Sequence, residues 1–171
     1  MNPMQQPRIE KLTLNIGAGK EQSKLDKAVV VLKSLTGIEP VKTVTQKRIP
    51  AWGLRPGLPI GCMLTLRKQA ASDMLKRLLK AKDFTLREGN FDTQGTISFG
   101  VLEHIDIEGA KYDPTIGVIG LQACITLEKP GYRVKRRSLH RVPVGKGHRV
   151  TKQEAIEFMK KHFGIKLTGE S

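Results

Sequence analysis

The chain has 171 residues, of which 39% are hydrophobic, so it is long enough and apolar enough to fold around a core of its own. Its 30 Lys and Arg against 16 Asp and Glu give a formal net charge of +14, which indicates a polyanionic partner. No apolar run of about 18 residues is present, which excludes a membrane-spanning helix. The two cysteines form no disulfide framework, and residues 1–7 carry no secretory signal, so we expect a cytoplasmic protein.

The N-terminal part of the chain predicts a strand followed by a helix. Aliphatic side chains at every second position indicate a strand over 9–16, which ends at a Gly-Ala-Gly turn. Apolar residues at helical spacing over 24–36 then predict an amphipathic helix. We expect Ser23 to cap the N-terminus of this helix and Gly37 to end it.

The next part predicts two strands on either side of a long loop, and then a second helix. A short strand is expected over 41–48, although it contains few large apolar residues. Three prolines and three glycines over 49–61 predict the loop. A third strand follows over 62–68, and an apolar stripe at helical spacing predicts the second helix over 70–81.

Two more strands and a final helix complete the predicted elements. Regular alternation of apolar and polar side chains predicts strands over 96–102 and 121–128. The residues between the last strand and the final helix show no periodicity. The helix should begin at a capping box, in which Thr151 and Glu154 satisfy backbone N–H groups.

These elements together predict an α+β fold. Alternating strands are half exposed, as in an antiparallel sheet that is covered on one face, and the two amphipathic helices can cover that face. We therefore expect a five-stranded, mainly antiparallel sheet with helices on one face and a basic C-terminal extension. Residues 1–128 would form the main domain, and residues 129–171 the extension, which ends in a helix packed on the same domain.

The uncovered face of the predicted sheet is polar and nearly free of acids. Its side chains are those of Lys11, Thr13, Asn15, Thr65, Arg67, Thr96, Ser98, Gln122 and Thr126. Such side chains can donate hydrogen bonds to phosphates and 2′-hydroxyl groups. None of the eight aromatic residues falls in this row, so a sheet that binds RNA here would read backbone and shape more than unstacked bases. The alternative is an ordinary solvated sheet face.

The charge is concentrated in separate stretches of the chain. Residues 40–72 contain six basic and no acidic residues, and residues 129–153 contain nine basic and no acidic residues. Residues 83–113 instead carry seven acids against two bases. Repulsion between like charges destabilises a compact state, and counterion release from a nucleic-acid backbone would offset that cost. The alternative is a solvated basic tail. A membrane partner is disfavoured because neither basic stretch forms an amphipathic helix.

The sequence shows no pattern that is typical of a catalytic or cofactor site. The Gly-Ala-Gly-Lys run at 17–20 is followed by Glu21 and does not match a Walker loop. Glu103, Asp106 and Glu108 could hold Mg²⁺, but a solvated charged loop is the simpler interpretation. We therefore expect no enzyme, metal, cofactor or small-molecule substrate. An RNA-processing enzyme and a DNA-binding protein are the alternatives to a non-catalytic RNA-binding protein. Incubation with RNA and Mg²⁺ would test the first, and competition between RNA and duplex DNA the second.

Several stretches are distinctive when taken together. They are KTVTQKRIPAWGLRPGLPIGCMLTLR at 42–67, IEKLTLNIGAG at 9–19 and GTISFG at 95–100. In order and spacing they closely resemble the large-subunit ribosomal protein five family, the universal binder of 5S rRNA. Residues 130–148 and the run GHRVTKQEA at 147–155 are similar to the archaeal and eukaryotic branch, whereas bacterial members lack the first of these segments. The short N-terminus favours an archaeal source.

The resemblance implies three contacts within the ribosome. The sheet side would dock on 5S rRNA and help to attach it to the large-subunit rRNA. The loop at 51–59 would reach the P-site tRNA, where Trp52 can stack and Arg55 can clamp a phosphate. Trp52 could instead hold the loop against the protein. The family also contacts small-subunit ribosomal protein thirteen in an intersubunit bridge, for which the acidic residues 83–113 are the expected face.

The charge pattern and the resemblance together make residues 1–128 the RNA-binding domain and define the expected contacts. The expected rRNA contacts are Lys11, Thr13, Asn15, Lys42, Thr43, Thr45, Gln46, Lys47, Arg48, Arg67, Lys68, Thr96, Ser98, Arg133, Lys135, Arg136, Arg137, His140, Arg141, Lys146, His148 and Arg149. The expected tRNA contacts are Trp52, Leu54, Arg55 and Pro56.

Overall fold

The computed structural model describes residues 2–168 and confirms the α+β fold. In chain order its helices and strands are β1 (Arg8–Gly17), α1 (Gln22–Thr36), β2 (Val41–Val44), β3 (Pro59–Leu66), α2 (Lys68–Lys80), β4 (Thr85–Arg87), β5 (Thr96–Val101), β6 (Leu121–Glu128), α3 (Arg133–Arg136), α4 (Lys152–Phe163) and β7 (Lys166–Thr168). The antiparallel main sheet has five strands in the order β2-β3-β1-β6-β5. The short strands β4 and β7 pair in parallel as a second sheet.

The chain divides into two compact units. The first unit contains the residues up to Leu12, Arg67–Phe99 and the residues from Cys124 onward, and the second contains Thr13–Leu66 and Gly100–Ala123. Because β1, β5 and β6 each cross a boundary, both units contain part of the main sheet. In each unit the apolar side chains of these strands are buried, which confirms the alternation predicted from sequence.

The two amphipathic helices bury the stripes that their sequences predict. In the second unit α1 packs on β3 and buries Leu25, Ala28, Val31, Leu32 and Leu35. In the first unit α2 buries Ala71, Met74, Leu75, Leu78 and Leu79. Since each fully buried Leu or Met contributes about 1.5–3 kcal/mol, these stripes are a large part of what holds each helix to its unit.

The strands β2 and β3 differ in length from the sequence prediction. The expected strand over 41–48 ends at Val44, where the pairing with β3 becomes irregular because its register shifts between Thr43 and Val44. The following strand begins at Pro59 rather than at residue 62. A proline is tolerated at the first position of a strand, where its missing N–H costs no ladder hydrogen bond.

The predicted N-cap of α1 is wrong, and the sequence prediction lacks one pair of strands. The N-cap of α1 is Glu21 and not Ser23, and no side chain caps this helix. The carboxylate of Glu21 instead forms an ion pair with Lys24 at 3.1 Å. The pairing of β4 with β7 was not predicted, since three-residue strands are too short to show a periodic pattern.

A close approach at Gly95 fixes the chain that leads into α4. Gly95 precedes β5 and has a φ of 72°, which favours glycine. A Cβ atom at this position would lie 2.6 Å from Cγ1 of Val150, whose side chain is buried. Residue 95 must therefore stay without a side chain for Val150 to pack against this turn.

An ion pair between a buried lysine and a half-buried glutamate joins the end of β6 to the start of α4. The side chain of Lys129 is buried, and its Nζ donates to Oε1 of Glu154 at 2.7 Å and to the carbonyl of Arg149 at 3.3 Å. The carboxylate of Glu154 also accepts from the N–H of Thr151 at 2.9 Å, which confirms the predicted capping box. Burial alone would raise the pKa of Glu154, but the hydrogen bonds from Lys129 and Thr151 together lower it below its ordinary value.

The substitution Glu154→Gln should destabilise the protein at neutral pH, because the Lys129 ammonium would stay buried without a carboxylate partner. Folding lowers the pKa of Glu154, so its contribution is complete above the ordinary pKa of the unfolded carboxyl group. That contribution is lost as the pH falls through the lower pKa of the folded state. The difference in the free energy of unfolding between wild type and variant should therefore shrink on acidification, which urea unfolding at a series of pH values measures.

The control for this prediction is Glu157→Gln, since Glu157 is exposed on the same helix. This control should cost little at any pH. An equal loss of stability in both variants, or a loss in Glu154→Gln that does not depend on pH, would contradict the role assigned to the ion pair.

Candidate nucleic-acid interface

Residues 129–150, which we call the basic segment, are held by hydrogen bonds within the first unit. The Nε atoms of Arg137, Arg141 and Arg149 each donate to a backbone carbonyl of the segment, at 2.8, 2.7 and 3.2 Å. A guanidinium that is fixed through Nε keeps its two terminal nitrogens for another partner. The local backbone therefore positions these three charges and restricts their side chains.

An aromatic pair closes the same segment. The hydroxyl of Tyr132 donates to the carbonyl of His148 at 3.3 Å, and Nε2 of His148 lies 2.8 Å from the carbonyl of Pro130. The two rings are tilted by 56° with their centroids 6.0 Å apart. These contacts bring the two ends of the basic segment together.

Beneath the basic segment lie two carboxylates, which with three arginines form what we call the carboxylate cluster. The side chain of Glu128 at the end of β6 is only 7% exposed, and that of Glu10 in β1 is 16% exposed. Arg8 donates to Glu128 through Nε and Nη2, at 3.0 and 2.8 Å. Arg136 of α3 bonds to Glu128 and lies 3.1 Å from Glu10, while Arg67 lies 3.8 Å from Glu10.

This cluster explains how a strongly basic unit accommodates one buried and one half-buried acid, Glu128 and Glu10. A buried carboxylate is costly unless it is paired and hydrogen-bonded, and the guanidinium of Arg136 serves both carboxylates. The same contact fixes α3, because Arg136 is its last residue. The cluster therefore ties the basic segment to β1 and β6.

The cations of the basic segment consequently fall into two sets. Lys129 and Arg136 bind carboxylates of the first unit. The others are exposed and pair with no carboxylate among residues 2–168, namely Arg133, Lys135, Arg137, Arg141, Lys146 and Arg149. Beyond the segment, Lys152 pairs with Glu88 at 2.9 Å. The exposed set is the part of the charge that a polyanion could reach.

A groove of about 770 Å³ lies between the basic segment and the strands of the first unit. Strand residues on its lining include Lys11, Thr96 and Thr126, which belong to the predicted polar sheet face. The basic segment contributes Tyr132, Arg141 and Arg149, together with apolar side chains at 142–144. The fold thus brings together sheet residues and extension residues that sequence reasoning treated as separate contacts.

The predicted rRNA contacts outside the basic segment are accessible in both units, with one exception. In the first unit Lys11, Arg67, Lys68, Thr96 and Ser98 are exposed or half-buried, and in the second unit so are Thr13, Asn15, Lys42, Thr43, Gln46, Lys47 and Arg48. Thr45 is the exception, because its side chain is buried and its hydroxyl donates to the carbonyl of Leu58 at 3.1 Å. Its role in the structure is to close the loop that follows β2.

The loop between β2 and β3 carries the predicted tRNA contacts on a rigid base within the second unit. Ile49 and Leu54 exchange two backbone hydrogen bonds, of 3.0 and 3.1 Å, and the side chain of Leu54 is buried. Trp52 is 67% exposed, which contradicts the alternative that it packs inward. Arg55 and Pro56 are exposed as well. The buried Leu54 thus supports the tip of the loop, which presents the other three side chains.

The acidic part of the second unit lies in the chain between β5 and β6. His104 is buried there, and its Nδ1 accepts from the N–H of Ile119 at 3.3 Å. The neighbouring Leu102 is 82% exposed. Thr115 donates to Asp113 through its hydroxyl and its N–H, at 2.7 and 2.9 Å, and these bonds lower the pKa of Asp113.

Residues 2–168 of the fold also bear on metal binding, cysteine chemistry and membrane insertion. No group of three or more His, Cys, Asp or Glu there could hold a metal ion, including the acidic residues near 103–108. Burial raises the pKa of the Cys62 thiol, partly opposed by Lys42, so this cysteine is a core residue. None of the described helices is long and apolar enough to cross a membrane.

Sequence reasoning missed the acids and the groove wall that organise this interface. Glu10 and Glu128 have the pattern of ordinary strand residues, and Tyr132 lies in a stretch without periodicity. A signal for the acids did exist, because Glu128 ends β6 immediately before nine basic residues begin. Only the fold shows that Glu10 lies close enough to share a guanidinium with Glu128.

Comparisons with known proteins agree on one family. The family model of ribosomal protein L5 matches residues 2–55, and the model of the C-terminus of the same ribosomal family matches residues 59–158. The chain is 49% identical to large ribosomal subunit protein uL5 of Nanoarchaeum equitans, over 97% of this chain and 98% of that protein. It is 44% identical to the proteins of the same name from Sulfolobus acidocaldarius, over 97% and 93%, and Methanococcus vannielii, over 98% and 94%.

The substitution Glu128→Gln should lower the free energy of unfolding by about 1.5–3 kcal/mol, because it removes the charged acceptor for Arg8 and Arg136. Chemical denaturation measures the loss. The matched control is Glu39→Gln, since Glu39 is exposed and should change stability by less than about 0.5 kcal/mol. Equal effects of the two substitutions would show that the carboxylate cluster does not stabilise the first unit.

Proposed function

We propose that this chain, which belongs to the ribosomal protein L5 family, binds 5S rRNA and helps to attach it to the large-subunit rRNA. As a member of that family it is a non-catalytic component of the large ribosomal subunit. The observation that carries this proposal is the exposed set of cations on the basic segment, three of which are held in place by backbone carbonyls. Phosphate contacts of this kind position a protein on RNA without any covalent chemistry. The uL5 proteins that the chain resembles are by name components of the large subunit.

Two features of the described residues support rRNA as the ligand. The exposed cations can neutralise phosphates and release counterions, which is the main source of affinity for nucleic acids. The half-buried hydroxyl and amide side chains of the strands can then fix the position of the RNA through 2′-hydroxyl and phosphate contacts. We also propose that residues 129–171 act as an extension of the RNA-binding domain 1–128, since Arg136 ties them to Glu10 and Glu128 of that domain.

We propose a contact with the P-site tRNA through the loop between β2 and β3. Its exposed Trp52 can stack on a base or ribose, and its exposed Arg55 can bind a phosphate. The paired backbone at Ile49 and Leu54 supports this proposal, because a closed loop loses little conformational entropy when it binds.

We propose that the chain between β5 and β6 contributes to an intersubunit bridge with small-subunit ribosomal protein thirteen. Glu103 and Asp106 are accessible there, next to the exposed Leu102. An exposed apolar side chain among acids suits a basic protein partner, since the charges steer association and the apolar group adds buried area.

Replacement of Arg133, Lys135 and Arg137 with Gln should flatten the salt dependence of 5S rRNA binding. Each lost phosphate contact makes the negative slope of log K against log salt less steep by about 0.9. The slope of the triple variant should therefore be about 2–3 less steep than that of wild type. Filter binding or fluorescence anisotropy across a salt series measures the slope. An unchanged slope would remove these residues from the RNA contacts.

The control for this prediction is Arg136→Gln in the same segment. Its guanidinium already binds two carboxylates, so this variant should lose stability while its salt slope stays near that of wild type.

Duplex DNA should compete weakly with 5S rRNA at equal salt, because it lacks the 2′-hydroxyl. Equal competition would favour a general nucleic-acid binder over the proposed function.

Reconstituted ribosomes test the loop and bridge proposals together. The double variant Trp52→Ala with Arg55→Gln should weaken P-site tRNA binding about tenfold and leave subunit association unchanged. The double variant Glu103→Gln with Asp106→Asn should weaken subunit association and leave tRNA binding unchanged. Each variant is the control for the other, and a variant without effect on its own readout would contradict its contact.

A further inference from the structure

The groove in the first unit differs in chemistry from the exposed cations around it. One wall is apolar and aromatic, with Val142, Val144 and the half-buried ring of Tyr132. The hydrogen bond from Tyr132 to the carbonyl of His148 fixes that ring in place. A purely electrostatic contact with an RNA backbone would not need such a wall, whereas aromatic and apolar side chains are what nucleobases stack on.

Two arginines at the same groove can bind an anion. Arg141 and Arg149 each use Nε on a backbone carbonyl, at 2.7 and 3.2 Å. Within residues 2–168 no acceptor lies on their terminal nitrogens. Each guanidinium therefore offers two terminal nitrogens, a fork of donors that matches the spacing of phosphate oxygens. Because the side chains are already fixed, little entropy is lost when a phosphate binds.

The remaining lining completes a site of positive potential. Thr96 and Thr126 place hydroxyl groups on the strands, and Lys11 adds a charge beside them. Glu10 is the only carboxylate among the lining residues, and Arg136 and Arg67 compensate it. The groove therefore offers donors for a phosphate and a ribose beside an apolar wall.

The size of the groove favours unpaired over paired nucleotides. At about 770 Å³ it falls within the range of small-ligand pockets, which is roughly 300–1,000 Å³. A base in an RNA duplex is stacked on both faces and cannot enter a recess of this kind, but an unstacked base that is turned out of the helix can.

We propose that this groove binds a single unpaired ribonucleotide of the rRNA, with its base on the wall formed by Tyr132 and Val142 and its phosphate on Arg141 and Arg149. This inference rests on the proposed function and adds to it the class of RNA element that the basic segment selects. Sequence-tolerant stacking and phosphate binding together recognise the unpaired state of the nucleotide more than the identity of its base.

The test compares two short RNA hairpins, one with a single bulged uridine in its stem and the other fully paired. The full-length protein should bind the bulged hairpin about tenfold more tightly, which is the typical effect of one stacked base. Fluorescence anisotropy at fixed salt measures both affinities. Non-specific electrostatic attraction predicts equal binding instead, because the two stems carry nearly the same charge.

Three variants locate the effect. Val142→Glu puts a carboxylate on the exposed edge of the wall and should abolish the preference for the bulge without disturbing the fold. Arg141→Gln should reduce the preference severalfold. The matched control is Arg133→Gln, an exposed cation of the same segment that does not line the groove. It should weaken binding of both hairpins alike and keep the preference.

The outcomes separate this inference from the proposed function. If the protein binds 5S rRNA but binds the two hairpins equally, the groove proposal is overturned and the proposed function stands. If the preference exists but survives both Val142→Glu and Arg141→Gln, the bulge binds elsewhere and the groove proposal is again overturned. If neither hairpin nor 5S rRNA binds, both proposals fail.

Discussion

Two acids buried under a basic segment determine how the first unit presents its charge. Glu10 and Glu128 would be expensive to bury alone, and the arginines of the carboxylate cluster compensate that cost. Arg136 is the member that belongs to the basic segment, so the interaction that neutralises the acids also holds α3 in position. Tyr132, Arg141 and Arg149 of the groove belong to the same segment, so this contact also helps to position that side of the groove.

The charge that a partner meets therefore differs from the charge that the sequence contains. Lys129 and Arg136 face carboxylates of their own unit. The remaining cations of the segment are exposed, and three of them are held through Nε by backbone carbonyls. Because these guanidinium groups are already restricted, their side chains lose less conformational entropy when the protein binds RNA. Internal ion pairs thus hold the segment whose other six cations stay exposed.

The sequence predicted the elements with strong periodicity and missed contacts that depend on the fold. The stripes of α1 and α2, the alternation of β1 and β6 and the capping box at Thr151 followed from spacing alone. The end of β2 did not, because it depends on a shift of its register with β3 between Thr43 and Val44. The accessible strand residues were predicted as a row, whereas the cluster at Glu10 joins residues from opposite ends of the chain. No local pattern carries information of that kind.

The carboxylate cluster also links two features that evolution could otherwise change independently. A member of the family that lacked residues 130–148 would have no residue equivalent to Arg136, and two buried acids would share only Arg8 and Arg67. Repulsion between the acids would then favour replacement of one by a neutral side chain. The basic segment and the pair Glu10 and Glu128 should therefore be inherited together, so that an acid at the end of β6 marks the chains that carry the insertion.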